Sequence, residues 1–415
     1  MTAPPTERVV PGRRRLPERD VAVDILGVLT IAVYGSWYYG FGVLIDDIGD
    51  GLSMSATQLG VAFGLAHVLL GVLSLATGRI LDRHGPSFVL GLIGPVGAIL
   101  VGFAGRASAP WQFIVCFALG GGISAAAGFY GMTQSIIVRL DPERSMQRII
   151  RLTIWGALAS PIAIPITEVL RSSLGWRLAI ELPAGFAVIV FLVASRVIRR
   201  APAPTAPPPS SRRWLAVMTS VAREPVIRWH VIAIFFASVS VSVLLVFQLS
   251  IMRWAGLSAS AAAAFAGARG FVQLAGRLPL RRILERVGPW SLLRIARGFI
   301  VLACLTILVS GNPILAAAYV AFAGAGIGAI SALDGIVARD VLPADDFGSL
   351  MGAVALIGAV GGGVAPVLAG RLTDVTGSPA AASIVAAVAA SLSIAGLEMA
   401  RGHRFRDDGR SGIRR

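Results

Sequence analysis

The sequence predicts an all-α membrane protein in which twelve transmembrane helices form two six-helix bundles. Three observations lead to this fold class: an apolar composition, twelve long apolar runs and an internal repeat. Of the 415 residues, 55% are hydrophobic and 14% are charged, whereas soluble globular proteins carry about 25% charged residues. The mean hydropathy is +0.77. This composition excludes a soluble enzyme and a disordered chain.

A transmembrane helix needs about 20 predominantly apolar residues, and the chain contains twelve such runs. The first six are approximately 24–45, 56–77, 88–105, 111–138, 147–170 and 178–197. The second six are approximately 228–252, 258–280, 290–309, 313–336, 347–372 and 379–400. The predicted organisation is a basic tail at 1–23, a first bundle at 24–198, a Pro/Arg-rich linker at 199–227, a second bundle at 228–400 and a basic tail at 401–415.

The placement of arginine predicts the orientation in the membrane. The net charge is +15, and all 37 Lys and Arg residues are arginine. An even number of spans gathers most of them in the tails, the linker and the loops of one side, including the loop at 281–297. The positive-inside rule therefore predicts a multi-pass protein of the cytoplasmic membrane with both termini in the cytoplasm. It also explains the positive charge without nucleic-acid binding.

Two segments of the chain repeat. Residues 79–86 read RILDRHGP and residues 282–289 read RILERVGP, a separation of 203 residues. GLSMSA at 51–56 matches GLSASA at 256–261, a separation of 205 residues. The difference predicts that the second half has lost two residues within a helix or at its end. The repeat itself predicts two parallel bundles related by an axis along the membrane normal.

The segment GRILDRHG at 78–85 resembles the loop motif G-x-L-x-D-R-x-G of the major facilitator superfamily. With twelve spans, a central linker and the 6+6 repeat, the chain is identified as a member over residues 20–400. The resemblance implies the major facilitator fold and a latch between the bundles in one conformational state. The implied latch residues are Gly78, Asp82, Arg83 and Gly85, with Glu285, Arg286 and Gly288 in the second copy.

Finer features resemble the monocarboxylate-transporter-like branch of that superfamily. They are GSWYYGFGVLIDDI at 35–48, GWR at 175–177 and GRLPLRRILERVG at 276–288. The resemblance implies that Arg277 binds a substrate carboxylate. In that branch an aspartate precedes this arginine by four residues, and here Gln273 occupies the position. The branch's lysine in the first helix is also absent, so proton coupling by the branch's usual route is not expected.

Charged residues inside the bilayer cost roughly 2.5–3.5 kcal/mol by insertion scales and are usually functional. Arg269 lies about 16 Å into the eighth predicted span, so we interpret it as a substrate-binding cation or as half of a buried ion pair. Arg277 lies about 12 Å further along and either binds substrate or extends to the inner headgroups. Asp334 is predicted to partner Arg269 or Arg277, to carry a transported proton, or to be a surface charge near a loop.

Aromatic and amide side chains complete the predicted site. Tyr34, Trp37, Tyr38 and Phe41 have the spacing i, i+3, i+4 and i+7, which places them on one face of the first helix. We expect this face to line the cavity. Further candidates for hydrogen bonds to the substrate are Tyr130 and Gln134 in the fourth span and Gln248 in the seventh.

The sequence therefore predicts a secondary active transporter that moves a small organic anion, a monocarboxylate by resemblance, by alternating access. The alternative is an exporter of drugs or lipophiles with an apolar cavity and structural arginines. A membrane-embedded enzyme or a non-transporting sensor is a remote alternative, because no reactive constellation of side chains is evident. Without lysine there is no Walker-A motif. We expect no cofactor, no metal and no nucleic acid, and a monomer whose partners are the anionic solute and the lipid bilayer.

Overall fold

A computed structural model describes residues 16–199, 214–277, 280–343 and 347–412, and these are almost entirely helical. In the first half, α1 comprises Leu16–Val33, a π-helical turn at Tyr34–Tyr39 and Gly40–Leu52; α2 is Ala56–His84; α3 comprises Pro86–Phe88, a π-helical turn at Val89–Ile93 and Gly94–Ala104; and α4 comprises Pro110–Gly128 and Tyr130–Leu140. α5 comprises Ser145–Ala157 and the part of Ala159–Ile198 before the turn at Gly175. α6 is the part of Ala159–Ile198 after that turn.

The second half has the same organisation. α7 is Pro225–Trp254, α8 is Ala259–Ala275, α9 is Pro289–Ile307, α10 is Pro313–Val341, α11 is Phe347–Thr376 and α12 is Ala380–Gly412. Two short helices, Trp214–Arg223 and Leu280–Val287, precede α7 and follow α8.

The helices account for the twelve predicted spans. Among the described residues, ten helices are long and apolar enough to cross a membrane. One of these, Ser145–Ile198, holds two spans because the backbone turns at Gly175, where φ is +80°. α8 has 17 residues and supplies the remaining span. The predicted fold class is therefore confirmed.

Several segment boundaries differ from the predicted ones. Part of the predicted linker is the helix Trp214–Arg223, and α12 extends through most of the predicted C-terminal tail. The proline-rich part of the linker, at 200–213, lies outside the described residues, as do 1–15 and 413–415. α8 ends at Ala275 and not near 280. A physical reason is the proline at position 279, since a helix that reaches a proline loses a backbone donor and meets the ring.

The two halves share the same backbone features at the same spacing. Ser53 and Gly256 both have left-handed backbone conformations, with φ of +52° and +109°. Two residues later, Ser55 and Ser258 cap α2 and α8 through their side-chain oxygens. Both pairs are 203 residues apart, like RILDRHGP and RILERVGP. The predicted loss of two residues was therefore wrong: GLSMSA and GLSASA are similar in sequence but two residues out of structural register.

Glycines with positive φ mark equivalent helix ends. Gly85, Gly175, Gly288 and Gly377 have φ of +76°, +80°, +78° and +67°. Each glycine follows the second span of a group of three spans. Gly85 follows α2, Gly175 follows α5, Gly288 follows the short helix Leu280–Val287 after α8, and Gly377 follows α11. An L-residue with a Cβ is strained at such φ values. The glycines of the loop motif thus terminate helices and allow the next helix to begin at once.

The closest approach between the halves is the contact of α2 with α11. A Cβ atom added at Gly64 would lie 2.1 Å from the carbonyl oxygen of Gly363, and one added at Gly60 would lie 2.3 Å from the carbonyl oxygen of Pro366. Small residues permit this approach because no side chain separates the two backbones. α2 and α11 therefore form the central seam between the halves.

Substituting Gly64→Ala is expected to destabilise this seam by about 1–3 kcal/mol, since a methyl group overpacks a filled contact. Thermal unfolding in detergent would show a lower midpoint. Gly298→Ala in α9 is the matched control, because an added Cβ there has no neighbour within 4 Å. Equal midpoints for the two variants would contradict the seam.

Candidate functional site

A cavity of about 220 Å³ lies between the two halves. The first half contributes Tyr38 of α1 and His67 of α2. The second half contributes residues of α7 and α10, namely Ala237, Ser238, Val241, Ser242, Ile327, Ile330, Ser331 and Asp334. The cavity therefore lies where a solute path between two repeated bundles is predicted.

The wall formed by α1 is shaped by its π-helical turn, Tyr34–Tyr39. A π-helical turn closes hydrogen bonds from i to i+5, and such turns occur frequently at functional sites. The ring of Tyr34 stacks near the ring of Tyr39 with centroids 5.9 Å apart, and it meets Tyr38 edge-on at 5.7 Å. The α-helical spacing used for the prediction misses Tyr39, whose ring lies beside those of Tyr34 and Tyr38 in this turn.

Two members of the predicted aromatic face lie away from the cavity. Trp37 is fully buried, and Phe41 is 1% exposed. Both rings pack against Phe63 of α2 and Phe117 of α4. The expectation that all four aromatic residues line the cavity therefore holds for Tyr38. Tyr34 is half-buried beside Tyr38 but is not one of the residues lining this cavity, and Trp37 and Phe41 form the core behind them. The π-helical turn causes this difference because it changes which residues share a face.

The fourth span is interrupted beside the same wall. Phe129 has an extended backbone conformation between the two segments of α4. Its ring stacks on Tyr34 with centroids 3.7 Å apart and an interplanar angle of 4°. Tyr130 follows, with its ring 5.8 Å from that of Tyr34 and its hydroxyl 3.5 Å from the carbonyl oxygen of Thr153. Gln134 is half-buried one turn further along α4.

Arg269 of α8 is fully buried. Its Nη1 donates a hydrogen bond to Oε1 of Gln273 at 3.1 Å. Among the described residues, its Nε and Nη2 have no hydrogen-bond partner, and no carboxylate pairs with it. Its charge acts on the hydroxyls of Tyr38 in α1 and Tyr319 in α10. Arg269 is thus a buried cation at the junction of the halves with part of its hydrogen-bonding capacity unused.

Gln248 extends this polar cluster on α7. The hydroxyl of Tyr319 donates to Oε1 of Gln248 at 2.8 Å, and Nε2 of Gln248 donates to the carbonyl oxygen of Leu245. Tyr319 therefore connects Gln248 to the surroundings of Arg269. Nothing in the sequence pattern singles out Tyr319, because a lone tyrosine in an apolar run has no periodic partners.

Arg277 follows the end of α8 and lies outside the helix in which it was predicted. Its Nη2 donates to the hydroxyl of Ser331 at 3.0 Å, and Ser331 lines the cavity. Its charge also acts on the hydroxyl of Tyr130 across the gap between the halves. Within the described part of the chain, Arg277 has no carboxylate partner, and its buried Nε has no acceptor.

Asp334 pairs with a different arginine from those predicted. Its Oδ1 lies 3.1 Å from Nη2 of Arg297, whose Nη1 donates to the carbonyl oxygen of Ser393. Arg297 is 1% exposed and lies inside α9. The assignments of Asp334 to Arg269 or Arg277, and of Arg297 to a loop, were therefore wrong. Both errors arise because hydropathy does not specify which face of a helix is buried against its neighbours.

The latch motif makes its ion pair inside the first half. Asp82 pairs with Arg139 at the end of α4. Among the described contacts, Asp82 has none with the second half, and Gly78 has free space around it. The second copy, with Glu285 and Arg286, lies on Leu280–Val287. The predicted role of these residues as a latch between the bundles stays a prediction.

Polar contacts between the halves occur at the loop side that carries Ser53 and Gly256. Asp46 of α1 accepts hydrogen bonds from Ser250 at 2.8 Å and from Arg253 at 2.9 Å, both on α7. Asp374 of α11 accepts hydrogen bonds at 2.8 and 2.9 Å from the backbone amides that begin α2, and a third from the hydroxyl of Thr57. These contacts join the halves at one end of the cavity.

A model of the Major Facilitator Superfamily matches residues 26–366. The chain belongs to this superfamily. It is 24% identical over 169 residues to a probable sugar efflux transporter of Mannheimia succiniciproducens, an alignment that covers 39% of this chain and 41% of that protein. The chain therefore spans less than half the length of that relative.

Solved structures of major facilitator transporters share the fold. A variant of the nucleoside transporter NupG superposes with a TM-score of 0.77 at 13% identity, covering 93% of this chain and 99% of that one. A bacterial homolog of the human lysosomal transporter Spinster, inward-facing and unoccupied, gives a TM-score of 0.70 at 17% identity, covering 94% and 97%. The protein is thus a multi-pass membrane protein of the Major Facilitator Superfamily, with the fold of these structures.

The substitution Asp334→Asn is expected to lower the free energy of unfolding of this protein by about 2 kcal/mol, because Arg297 then loses the acid that compensates its buried charge. Because 26% of the Asp334 side chain is exposed, the expected loss of stability is smaller than the cost of breaking a fully buried ion pair. Thermal unfolding in detergent measures the change, and adding Arg297→Met should restore part of it. The control is Glu398→Gln, which removes exposed pairs worth under about 1 kcal/mol. A larger loss in the control would contradict the assignment.

Proposed function

We propose that this protein is a secondary transporter that moves a small organic anion, of the monocarboxylate class, by alternating access. The observation that carries the proposal is the guanidinium of Arg269, which is fully buried and has two N–H-bearing nitrogens without acceptors among the described residues. A buried charge without a counter-ion costs several kcal/mol. A solute carboxylate next to Arg269 supplies both the missing charge and the missing acceptors.

Gln273 supports an anionic solute. It accepts the hydrogen bond from Arg269 at the position where the resembled branch carries an aspartate. An aspartate would neutralise the arginine before a solute arrives, whereas a glutamine orients the guanidinium and leaves its charge uncompensated. The empty site is therefore positive, and an anion gains more from it than a neutral solute does.

The size of the cavity supports a small solute over a drug. Pockets for drug-sized ligands usually measure about 300–1,000 Å³, and this cavity measures about 220 Å³. The exporter of drugs or lipophiles is therefore the less favoured candidate, although Val241, Ile327 and Ile330 make part of the lining apolar.

The contacts between the halves support alternating access. α2 and α11 touch along their glycines, and Asp46 and Asp374 bridge the halves at one end of the cavity. We infer a state that these contacts hold together on the Ser53 side, where a second cavity of about 680 Å³ lies beside Asp46, Ser250 and Arg253. Rocking of one bundle against the other would separate the contacts on that side.

The orientation and energy source follow from the sequence. The arginine distribution supports a cytoplasmic membrane protein with both termini in the cytoplasm. The absence of lysine excludes a Walker-A motif in this chain, so the driving force is a gradient of the solute or of an ion. We expect the two bundles, joined by the linker at 199–227, to act as one monomer.

Arg269→Gln and Arg277→Gln are each expected to lower carboxylate uptake by at least tenfold, because a lost charge-assisted contact with an anion costs about 1.5–3 kcal/mol. Uptake by the purified protein in liposomes, across a panel of carboxylates with and without a pH gradient, measures the effect.

Arg106→Gln is the matched control for these variants, because Arg106 forms an exposed pair with Glu181 far from the cavity. Unchanged uptake by both Arg269→Gln and Arg277→Gln would discard the proposed site. Export of lipophilic cations without any carboxylate uptake in the unmodified protein would favour the drug exporter.

Asp374→Asn is expected to shift the protein toward the state open on the Ser53 side, because it removes charge from the contact that joins α11 to the first turn of α2. Spin labels at Ser108→Cys and Val375→Cys, with Cys116 and Cys304 replaced by alanine, report the distance between the halves on that side. The population with the longer distance should increase.

Asp47→Asn is the control for this shift, since Asp47 pairs with Arg171 inside the first half. Identical distance distributions for Asp374→Asn and the unmodified protein would show that this contact does not hold the state.

A further inference from the structure

Tyrosines concentrate near Arg269 and Arg277. The chain has 5 tyrosines. Tyr34, Tyr38, Tyr39 and Tyr130 form one cluster on the wall of the first half, and Tyr319 lies beside Arg269 in the second half. No structural need of a membrane helix calls for tyrosine at this depth, because apolar aromatic side chains fill a core without a hydroxyl group. The whole tyrosine content of the chain is thus placed at one site.

The rings of this cluster present a defined aromatic surface. Tyr38 meets Tyr34 at 80° and Tyr39 at 90°, with centroids 5.7 and 5.2 Å apart. Tyr34 is held from behind by its stack on Phe129. Edge-to-face and stacked pairs at such distances are the arrangements that aromatic rings prefer. The cluster therefore offers both ring faces and ring edges to a further aromatic ring.

The hydroxyl groups of the cluster are available to a solute. Tyr34, Tyr38 and Tyr39 are only half-buried, and their hydroxyls make no hydrogen bond with another described residue. Arg277 donates a hydrogen bond to Ser331, which lines the cavity together with Tyr38, and the charge of Arg269 also acts on the Tyr38 hydroxyl. Phenol hydroxyls and guanidinium groups both donate hydrogen bonds, so together they suit a carboxylate attached directly to the ring that the tyrosines hold.

We propose that the transported anion is an aromatic carboxylate, whose ring packs against Tyr34, Tyr38 and Tyr39 while its carboxylate binds Arg269. This inference rests on the proposed transport of organic anions and narrows its substrate class. Tyr39 is a specificity-determining residue that the π-helical turn adds to the tyrosine cluster. The cavity of about 220 Å³ beside Tyr38 restricts the solute to a single ring.

Binding of benzoate, pyruvate and uridine to the purified protein, measured by calorimetry, tests the inference. Benzoate combines a ring with a carboxylate, pyruvate has only the carboxylate, and uridine has a neutral ring. We expect benzoate to bind about tenfold more tightly than either probe. Equal affinity for benzoate and pyruvate would overturn the aromatic preference and leave anion transport intact. Binding of uridine without either carboxylate would overturn both.

Variants of Tyr39 separate the ring from the hydroxyl. Tyr39→Leu should reduce the ratio of benzoate to pyruvate affinity to near one, whereas Tyr39→Phe should preserve the ratio. Phe322→Leu is the control, because Phe322 packs against Phe299 away from the tyrosine cluster. A ratio that stays unchanged in Tyr39→Leu, or that falls equally in the control, would overturn the role of Tyr39.

Discussion

A buried arginine without an acidic partner is the constraint on which the site depends. In the described part of the second half, Arg269 and Arg297 are the two fully buried guanidinium groups, and their charges are compensated differently. Arg297 is compensated by Asp334 within its own bundle, so its charge is part of the fold. Arg269 has only the neutral Gln273, so its charge is left for whatever enters between the bundles. In low-dielectric surroundings, a charge without a partner costs far more free energy than a charge that is paired and hydrogen-bonded.

The contact between the halves suits a surface that separates and closes again. At its centre, glycines of α2 and α11 bring two backbones together through dispersion contacts. Separating such a contact strands no charge. The polar bridges of Asp46 and Asp374 lie at the exposed end, where water can replace a lost partner. Among the described residues, the buried ion pair of Arg297 and Asp334 stays inside one half, so motion between the halves does not break it.

The tyrosine cluster shows how far a pattern of residues can predict a site. Spacing along an α-helix correctly brings Tyr34 and Tyr38 together, because they are four residues apart. It misplaces Trp37 and Phe41, which are buried in the core, and omits Tyr39, because a π-helical turn replaces the regular one at Tyr34–Tyr39. Nothing in the letters YGSWYY distinguishes the two kinds of turn. The turn packs against both α5, where Gly35 faces Ala163, and α4, where Gly121 faces Trp37, and this packing is a property of the assembled bundle.

Hydropathy and the repeated loop motif were sufficient to predict twelve spans in two similar halves, because the bilayer sets the length of a span and each residue contributes to it locally. The depth of Arg269 followed from the same counting. The ion-pair partner of Asp334 did not follow from the sequence. Asp334 pairs with Arg297 because of the rotation of each helix about its axis, and this rotation is set by neighbours distant in the chain. Gln273 meets Arg269 because the two residues are four apart on α8. Long-range packing alone therefore determined which arginine is neutralised by the fold and which remains open to a solute.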